Sequence, residues 1–471
     1  MNPSIATIVY TLGICLLFWL DRDHDARTSK ALWIPVVWLF INGSRPVSVW
    51  LQMRSTMELN DLYRDGSPLD ALVWGTLLLA GLVVLARRVP RVGTLLRANL
   101  PIILFFLYCA LSILWSDYPF IAFKRWVKAL GDVTMILIVL TDENSVFAVR
   151  RFLTRAGFWL VPLSVLFIKY YPDLGRSYNP WKWTPMFSGV TLGKNLLGMT
   201  CLICGLGSLW CFLAAYRSPK GKQRTRHLVA HGVILAMVIW LFWMANSMTS
   251  LSCFLIASAV MVLTSRRQAI PKPVFVHLLV TSVILVVVFA LFLDSGGSIV
   301  RSLGRDSTLT GRTQVWAAVL SVARNPLLGT GFESFWLGKR LEKVWEFIGP
   351  GSKGLQEAHN GYLEVYLNLG WIGLTFLGVM IVTGYPKIVA AFRHSPELAS
   401  LSLAYFIVGI IYNLTEAGFR MMDLIWISFL LAIIGSSGAR ASLDSSIVSM
   451  VPETESESEL EELLTIRSVS S

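Results

Sequence analysis

The chain has 471 residues, of which 55% are hydrophobic and 15% are charged, and its mean hydropathy is +0.61. This composition excludes a soluble globular protein and indicates a polytopic helical membrane protein, because apolar segments long enough to cross a bilayer recur along the chain. The net charge of +12 does not indicate nucleic-acid binding. Most basic residues lie in short loops between apolar segments, and there is no soluble basic domain to carry such binding.

The apolar segments predict an all-α transmembrane bundle of about 12–13 helices. The first segment has no Lys or Arg before it, so it reads as a membrane helix and not as a cleaved signal peptide. All six cysteines lie in apolar segments, which predicts packing residues and no disulfide framework. The segments are 5–20, 31–41, 69–86, 100–115, 127–141, 156–170, 196–216, 228–247, 251–264, 274–293, 362–384, 399–414 and 423–435.

The distribution of basic residues between alternate loops predicts the orientation. Lys and Arg number 20 in the loops 21–30, 87–99, 142–155, 217–227, 265–273 and 385–397, and 9 in the short loops of the opposite set. The positive-inside rule places the first set in the cytoplasm, so the long polar segment 294–360 is expected to face the periplasm of a bacterial inner membrane.

Four regions follow from this reading. Residues 1–293 are predicted to form the N-terminal transmembrane helices, 294–360 an external catalytic loop, and 361–437 the C-terminal transmembrane helices. Residues 438–471 are rich in Ser and Glu and predict a disordered acidic cytoplasmic tail. A loop as long as 294–360 between membrane helices is uncommon unless it carries function, so we expect the functional site there.

Arg312 is the first candidate residue of this loop. It lies in Thr310-Gly-Arg-Thr-Gln-Val-Trp316, where Thr310 is a plausible helix N-cap and the segment 312–323 has helical apolar spacing. The guanidinium group would then sit in the first turn of a helix, where backbone N–H groups also favour an anion such as phosphate. The chain is expected to turn through Gly329-Thr-Gly331, which ends the helix.

His359 is the second candidate, because it is the only histidine on the predicted external face. An imidazole at that position can take a proton from a sugar hydroxyl near neutral pH. The alternative is a histidine that only hydrogen-bonds the loop backbone. Glu357 and Glu364 flank it and could orient the ring or bind a sugar. A zinc site is not expected, since no second His or Cys lies at ligand spacing.

Other external cations are candidates for binding a phosphate-bearing substrate. These are Arg125, Arg176, Lys194 and Arg305, and each could instead pair with a nearby carboxylate or a lipid headgroup. Two acidic residues in or near membrane segments, Asp132 and Glu416, could take part in proton transfer. A structural ion pair is the favoured interpretation, with Arg420 as the partner of Glu416.

These motifs together resemble the bacterial O-antigen ligase and O-antigen polymerase superfamily, and within it the ExoQ-type exopolysaccharide polymerases. The resemblance rests on the Thr310–Trp316 motif with Asn325-Pro-Leu-Leu-Gly-Thr-Gly331, and on Glu357-Ala-His-Asn-Gly-Tyr-Leu363 with Leu369-Gly-Trp-Ile-Gly373. Supporting motifs are Trp115-Ser-Asp-Tyr-Pro119, Gly189-Val-Thr-Leu-Gly-Lys-Asn-Leu-Leu-Gly198 and Ser247-Met-Thr-Ser250, so the resemblance runs from about residue 100 to 375.

The resemblance implies an inverting, metal-independent glycosyltransferase of the membrane-embedded GT-C class that needs no cofactor. The donor would be a glycan on undecaprenyl diphosphate, and the acceptor another glycan or the lipid A core; other envelope polysaccharide assembly proteins are candidate partners. Arg312 would hold the diphosphate and His359 would act at the acceptor hydroxyl. The basic residues of an earlier external loop would correspond to Arg125, Arg176 or Lys194. Relatives carry an Arg shortly before Gly-Val-Thr, where this chain has Met186-Phe-Ser188.

Three alternatives remain open from the sequence. Within the enzyme reading, a polymerase of exopolysaccharide or O-antigen is favoured over an O-antigen ligase only by the character of the motifs. A transporter of lipid-linked sugars or small anions would share the apolar composition but would predict repeated halves and charges at mid-membrane. A non-catalytic assembly component would leave Arg312 and His359 without a role.

Overall fold

The computed structural model describes residues 2–23, 28–51, 66–178, 185–265, 273–292, 310–349, 352 and 354–450, excluding the side chains of 287–292, 310–311 and 438–450. One antiparallel pair of short strands, β1 (Arg176–Tyr178) and β2 (Pro185–Phe187), accompanies the helices. The helices are α1 (Pro3–Leu20), α2 (Trp33–Asn42), α3 (Val47–Trp50), α4 (Pro68–Ala86), α5 (Val89–Ala98), α6 (Leu100–Leu111), α7 (Pro119–Leu140), α8 (Ser145–Tyr170), α9 (Pro172–Gly175), α10 (Lys194–Arg217), α11 (Lys222–Ala245), α12 (Met248–Thr264), α13 (Pro273–Phe292), α14 (Thr310–Val322), α15 (Gly338–Ile348), α16 (Gly361–Ala391), α17 (Pro396–Tyr412) and α18 (Leu424–Met450).

The predicted fold class, an all-α polytopic membrane protein, is confirmed. Six described helices are long and apolar enough to cross a membrane, namely α1, α4, α8, α10, α11 and α16. A seventh span results if α5 and the segment Leu100–Trp115, which meet at an angle of 89°, are taken together. Five more apolar helical segments have 10–17 residues, and they account for much of the larger helix number expected from the sequence: Lys30–Asn42, Met248–Thr264, Pro273–Val286, Pro396–Tyr412 and Leu424–Ser437. A helix of 17 residues rises only about 26 Å, which is short for a bilayer core.

The helices are buried to very different degrees. In α10 and α8, 78% and 72% of the membrane-length window is buried against other helices, whereas the figure for α1 and α4 is 17%. The inner helix α10 packs against α8, α11 and α12, and α17 and α18 pack against each other beside it. Apolar side chains on α1 and α4, such as Leu12 and Leu79, point away from the protein and are suited to lipid contact.

The described part of the long polar segment is folded around an apolar core of its own. The helix predicted over 312–323 is confirmed as α14, and it packs against α15. This small core is distinct from that of the bundle, and its largest buried members are Trp336, Phe335, Leu341 and Leu367, the last of which belongs to α16. Arg305 and the rest of 293–309 lie outside the described residues.

A turn at residues 326–331 attaches this unit to α16. Gly370 interrupts the helical geometry of α16 with φ 65° and ψ −165°, which exposes backbone groups at the break. The N–H groups of Thr330 and Gly331 donate to the carbonyls of Leu367 and Asn368, at 3.1 and 2.9 Å. In return, the N–H of Trp371 donates to the carbonyl of Pro326 at 2.8 Å. The Asn325–Gly331 and Leu369–Gly373 motifs therefore form a backbone junction.

The Trp115–Pro119 motif holds the same turn from the other side. Trp115 Nε1 donates to the carbonyl of Leu328 at 3.2 Å, and the hydroxyls of Ser116 and Ser334 are 2.7 Å apart. Asp117 forms an ion pair with Arg340 of α15. Buried hydrogen bonds of this kind fix one arrangement of a loop because their loss leaves polar groups without partners. Motifs that are far apart in sequence thus position one loop.

Candidate functional site: a charged cluster at the ends of two helices

Six charged side chains meet between the folded loop, the start of α16 and the turn that follows α17. We call them the charged cluster, and they are Arg312, Glu333, Glu357, His359, Glu416 and Arg420. Glu333 and Glu416 are largely buried, while Arg312 and His359 keep about a quarter of their side-chain surface exposed. The cluster is therefore buried at Glu333 and Glu416 and accessible at its other four members.

Glu416 connects the two residues that the sequence ranked highest. Its Oε1 lies 2.9 Å from Nη2 of Arg312, and its Oε2 lies 3.3 Å from Nδ1 of His359. Nδ1 of His359 is also 2.9 Å from Oε1 of Glu357. Since both carboxylates lie at Nδ1, Nε2 is the ring nitrogen left to meet a substrate.

The second half of the cluster is centred on Arg420. Its Nε is 3.8 Å from Oε2 of Glu333 and its Nη1 is 3.9 Å from Oε2 of Glu357. The predicted pairing of Arg420 with Glu416 is wrong, because Glu416 pairs with Arg312 and His359 instead. Each of the two carboxylates that contact His359 thus also pairs with an arginine, Glu416 with Arg312 and Glu357 with Arg420.

The backbone around the cluster adopts conformations that are unusual for residues with side chains. His359 has φ 48° and Glu333 has φ 49°. Non-glycine residues in this region persist only where surrounding contacts hold them, and they are enriched at functional sites. One such contact is next to His359, where the N–H of Gly361 donates to the carbonyls of Asn413 and Glu416 at 2.9 and 3.0 Å.

A buried carboxylate on α16 holds the segment that carries His359. Glu364, which the sequence analysis placed beside His359 as an orienting group, accepts a hydrogen bond from the N–H of Ala358 at 2.6 Å. It also accepts one from Nε1 of Trp336 at 2.8 Å. Glu364 therefore ties the 357–359 segment to the folded loop without contacting the ring itself.

The surrounding charges keep His359 protonated at neutral pH. Burial alone would lower the pKa of His359, but its hydrogen bonds with Glu357 and Glu416 and their negative charges outweigh this and raise the pKa to about 9. Burial would raise the pKa of Glu357, yet the contact with His359 and the charges of Arg420 and Arg312 lower it. The resting cluster is thus a network of ion pairs.

Metal coordination by the cluster was not expected from the sequence. One oxygen of Glu357, one of Glu416 and one nitrogen of His359 lie within 4.8 Å of one another, a spacing that a cation could use. No second His or Cys lies at ligand spacing in the sequence, but the carboxylates of Glu357 and Glu416 supply the other ligand atoms. Glu416 is at the same time engaged with Arg312, so metal independence stays a prediction.

The remaining candidate cations occupy different places. Arg125 is near the cluster, since its guanidinium group donates to the backbone carbonyl of Glu333. Arg176 lies on the β1–β2 hairpin, donates to the carbonyl of Ile168 at 2.9 Å and rests over the Phe187 ring. Lys194 is the first residue of α10 and follows a turn that Arg45 holds through the carbonyls of Gly189 and Thr191. Their roles in binding remain predictions.

Three members of the cluster, Glu333, Glu416 and Arg420, were assigned no binding role from the sequence. Glu333 follows the Gly331 turn and carries no motif signal of its own, while Glu416 and Arg420 were interpreted mainly as an ion pair with each other. A usable signal does exist for the segment 415–421: it is a short loop on the predicted external side that carries both an acid and a base between two apolar helices. Charges retained in such a position favour a site.

Comparison with known proteins supports the family resemblance that the motifs indicate. Residues 232–378 match the family model described as O-antigen ligase. The chain is also 27% identical over 287 residues to the exopolysaccharide production protein ExoQ of Rhizobium meliloti (strain 1021), a match that covers 60% of this chain and 63% of that protein. The chain therefore spans somewhat less than two thirds of the curated relative. The resemblance inferred from the motifs is thus confirmed, and over residues 232–378 this chain matches the O-antigen ligase family.

Proposed function

We propose that this chain is a membrane glycosyltransferase that lengthens a glycan carried on a polyprenyl diphosphate, undecaprenyl diphosphate in a bacterial membrane. The observation that carries the proposal is the meeting of Arg312 and His359, on the loop that the motifs hold in place, with Glu416 of the turn that follows α17. The same proposal includes three further points. The site faces the periplasm, the acceptor is another glycan, and residues 294–360 form the catalytic region between the two sets of transmembrane helices.

The two arginines of the charged cluster, Arg312 and Arg420, have the chemistry to bind a diphosphate. Each presents a planar set of N–H donors that can pair with phosphate oxygens, and Arg312 lies in the first turn of α14. Both are paired with carboxylates in the structure, so donor binding would replace those carboxylates at the guanidinium groups. The diphosphate already stabilises the charge that develops on it, so the arginines need only hold and neutralise it.

His359 has the chemistry to accept a proton from the acceptor hydroxyl. In the proposed step, the acceptor hydroxyl oxygen forms a bond to the anomeric carbon while the bond from that carbon to the diphosphate oxygen breaks. The hydroxyl proton passes to Nε2 of His359, and the electron pair of the broken bond leaves with the diphosphate. Glu416 and Glu357 at Nδ1 then stabilise the imidazolium that forms.

The proposal is tested with purified full-length protein and a lipid-diphosphate-linked oligosaccharide. We expect the wild type to lengthen the glycan and release polyprenyl diphosphate, and Arg312→Ala and His359→Ala each to lower the rate by about a hundredfold or more. Matched controls are Arg324→Ala and His394→Ala, which change exposed residues of the same types and should leave the rate unchanged. Glycan transfer that requires added lipid A core would identify a ligase, and substrate binding without any transfer would favour a transporter.

The raised pKa of His359 gives the pH dependence a definite sign. The neutral imidazole is the form that accepts a proton, so kcat/KM should rise with pH and level off near the pKa of about 9. At pH 7 only about 1% of the free enzyme carries the neutral form. Glu357→Gln removes one of the two carboxylates that raise this pKa, so the rise should move to lower pH. A rate that falls as pH passes through 9 would instead show that the imidazolium is the working form.

A further inference from the structure

A second histidine-containing cluster lies at the other end of α11 from the charged cluster. Asp21 follows the last residue of α1, and His227 and His231 lie in the first turns of α11. The far end of α11, at Ala245, leads into the Ser247–Ser250 segment, where the hydroxyls of Thr249 and Thr415 are 3.3 Å apart, beside Glu416. A helix of 24 residues is about 36 Å long, so the two clusters are well separated.

The three side chains converge on one point. Oδ1 of Asp21 lies 2.9 Å from Nδ1 of His227 and 3.2 Å from Nε2 of His231, and all three donor atoms lie within 4.8 Å of one another. His227 and His231 are four residues apart, so they share one face of α11. His231 is 1% exposed, and the Cys211 thiol of α10 is a further neighbour of its ring.

This donor set has the composition and spacing of a zinc site. Zinc prefers imidazole nitrogen and carboxylate oxygen at about 2.0–2.2 Å in tetrahedral geometry, which separates neighbouring ligand atoms by about 3.3 Å. The observed separations of 2.9 and 3.2 Å need to widen by only a few tenths of an ångström. Three protein ligands leave the fourth position for water.

The competing arrangement is a metal-free ion pair between Asp21 and protonated histidines. Arg155 also interacts electrostatically with Asp21, and Arg226 rests over the Trp19 ring at 4.5 Å, so cations already lie nearby. A hydrogen-bonded pair would need only one histidine, however, and here two imidazoles from one helix face approach the same carboxylate oxygen. That arrangement favours a shared cation between the three groups.

We propose that Asp21, His227 and His231 bind a first-row divalent cation, with zinc the best fit, and that this cation joins the end of α1 to the start of α11. Such a link would stabilise the position of α1. Only 17% of the membrane-length window of α1 is buried, the lowest share among the candidate spans and equal to that of α4. The site is independent of glycan transfer and does not rest on the proposed function.

The test measures zinc in full-length protein purified through a tag without histidine, loaded with zinc and freed of excess by gel filtration. We expect about one zinc per chain in the wild type and loss of this zinc in the His227→Ala/His231→Ala double variant. The thermal unfolding midpoint should rise with zinc concentration in the wild type but not in the double variant. Asp21→Asn is a second variant in case the double variant does not fold.

Two controls separate this site from other binding. His394→Ala alters an exposed histidine and should keep the zinc. His359→Ala removes the nitrogen ligand of the other candidate cation group and should also keep it. The proposal is overturned if the wild type holds no stoichiometric zinc, if the double variant retains it, or if the zinc is lost in His359→Ala instead.

Discussion

Glu416→Gln should abolish most glycan transfer while leaving the protein folded. The substitution keeps the shape of the side chain but removes the negative charge that Arg312 and His359 share, at 2.9 and 3.3 Å. Without that charge, two cations face an uncharged amide, and the imidazolium formed during proton transfer loses one of its two carboxylates. We expect kcat to fall by about a hundredfold or more, measured as release of polyprenyl diphosphate under saturating donor.

The pH profile distinguishes this role from a merely structural one. Glu416 helps to raise the pKa of His359 to about 9, so the residual activity of Glu416→Gln should reach its plateau at lower pH than wild type. The matched control is Glu397→Gln, since Glu397 pairs with Arg150 at 3.5 Å on the surface and is half exposed. Surface pairs of this kind contribute little, so the control should behave as wild type. An unchanged rate in Glu416→Gln would remove Glu416 from the mechanism.

Gly370→Ala should detach the folded loop from α16. Gly370 has φ 65° and ψ −165°, a region of backbone space that is essentially restricted to glycine and costs about 1–3 kcal/mol for other residues. A Cβ atom at this position would also lie 2.2 Å from the backbone carbonyl oxygen of Leu327, an overlap that no side-chain rotation relieves. The hydrogen bonds that join 326–331 to α16 would then break, and Glu333 would lose its place in the charged cluster.

The expected result is a lower thermal unfolding midpoint and little glycan transfer. Gly378→Ala is the matched control, because Gly378 lies on the same helix and a Cβ atom added there would meet no neighbouring segment within 4 Å. Alanine should be tolerated there or even stabilise the helix. Limited proteolysis gives an independent readout, since the detached loop should be cleaved sooner in Gly370→Ala. A stable, active Gly370→Ala protein would contradict the junction as the support of the site.

The local features of the fold were accessible to sequence reasoning. Apolar runs predicted the helices because burial in lipid requires continuous apolar segments with internally bonded backbones. The helix observed at 310–322 was predicted over 312–323 from the candidate N-cap Thr310 and the periodic apolar residues. The turn at 329–331 was predicted from its glycines, which have φ 69° and 93°. Arg312 and His359 were selected from their chemistry and their place in a motif.

The partners of those residues depended on the tertiary structure. Glu416 lies 104 residues from Arg312 and 57 from His359, and Glu333 lies 88 from Met421, whose N–H approaches its side chain. Neither periodicity nor residue spacing predicts a contact between residues so far apart in sequence. For this reason the sequence paired Glu416 with the wrong arginine. The same limit applies to the motifs, whose hydrogen bonds across the 326–331 junction became visible only in three dimensions.

The sequence by itself determined that this is a helical membrane protein with a long polar loop and a family resemblance carried by that loop. These properties follow from residue composition and from contacts between near neighbours. Only the tertiary structure decided which charges meet, that His359 is held protonated between two carboxylates, and that Asp21 meets two histidines of α11. Electrostatic energies depend on distance and burial, and both are set by the packing of segments far apart in the chain.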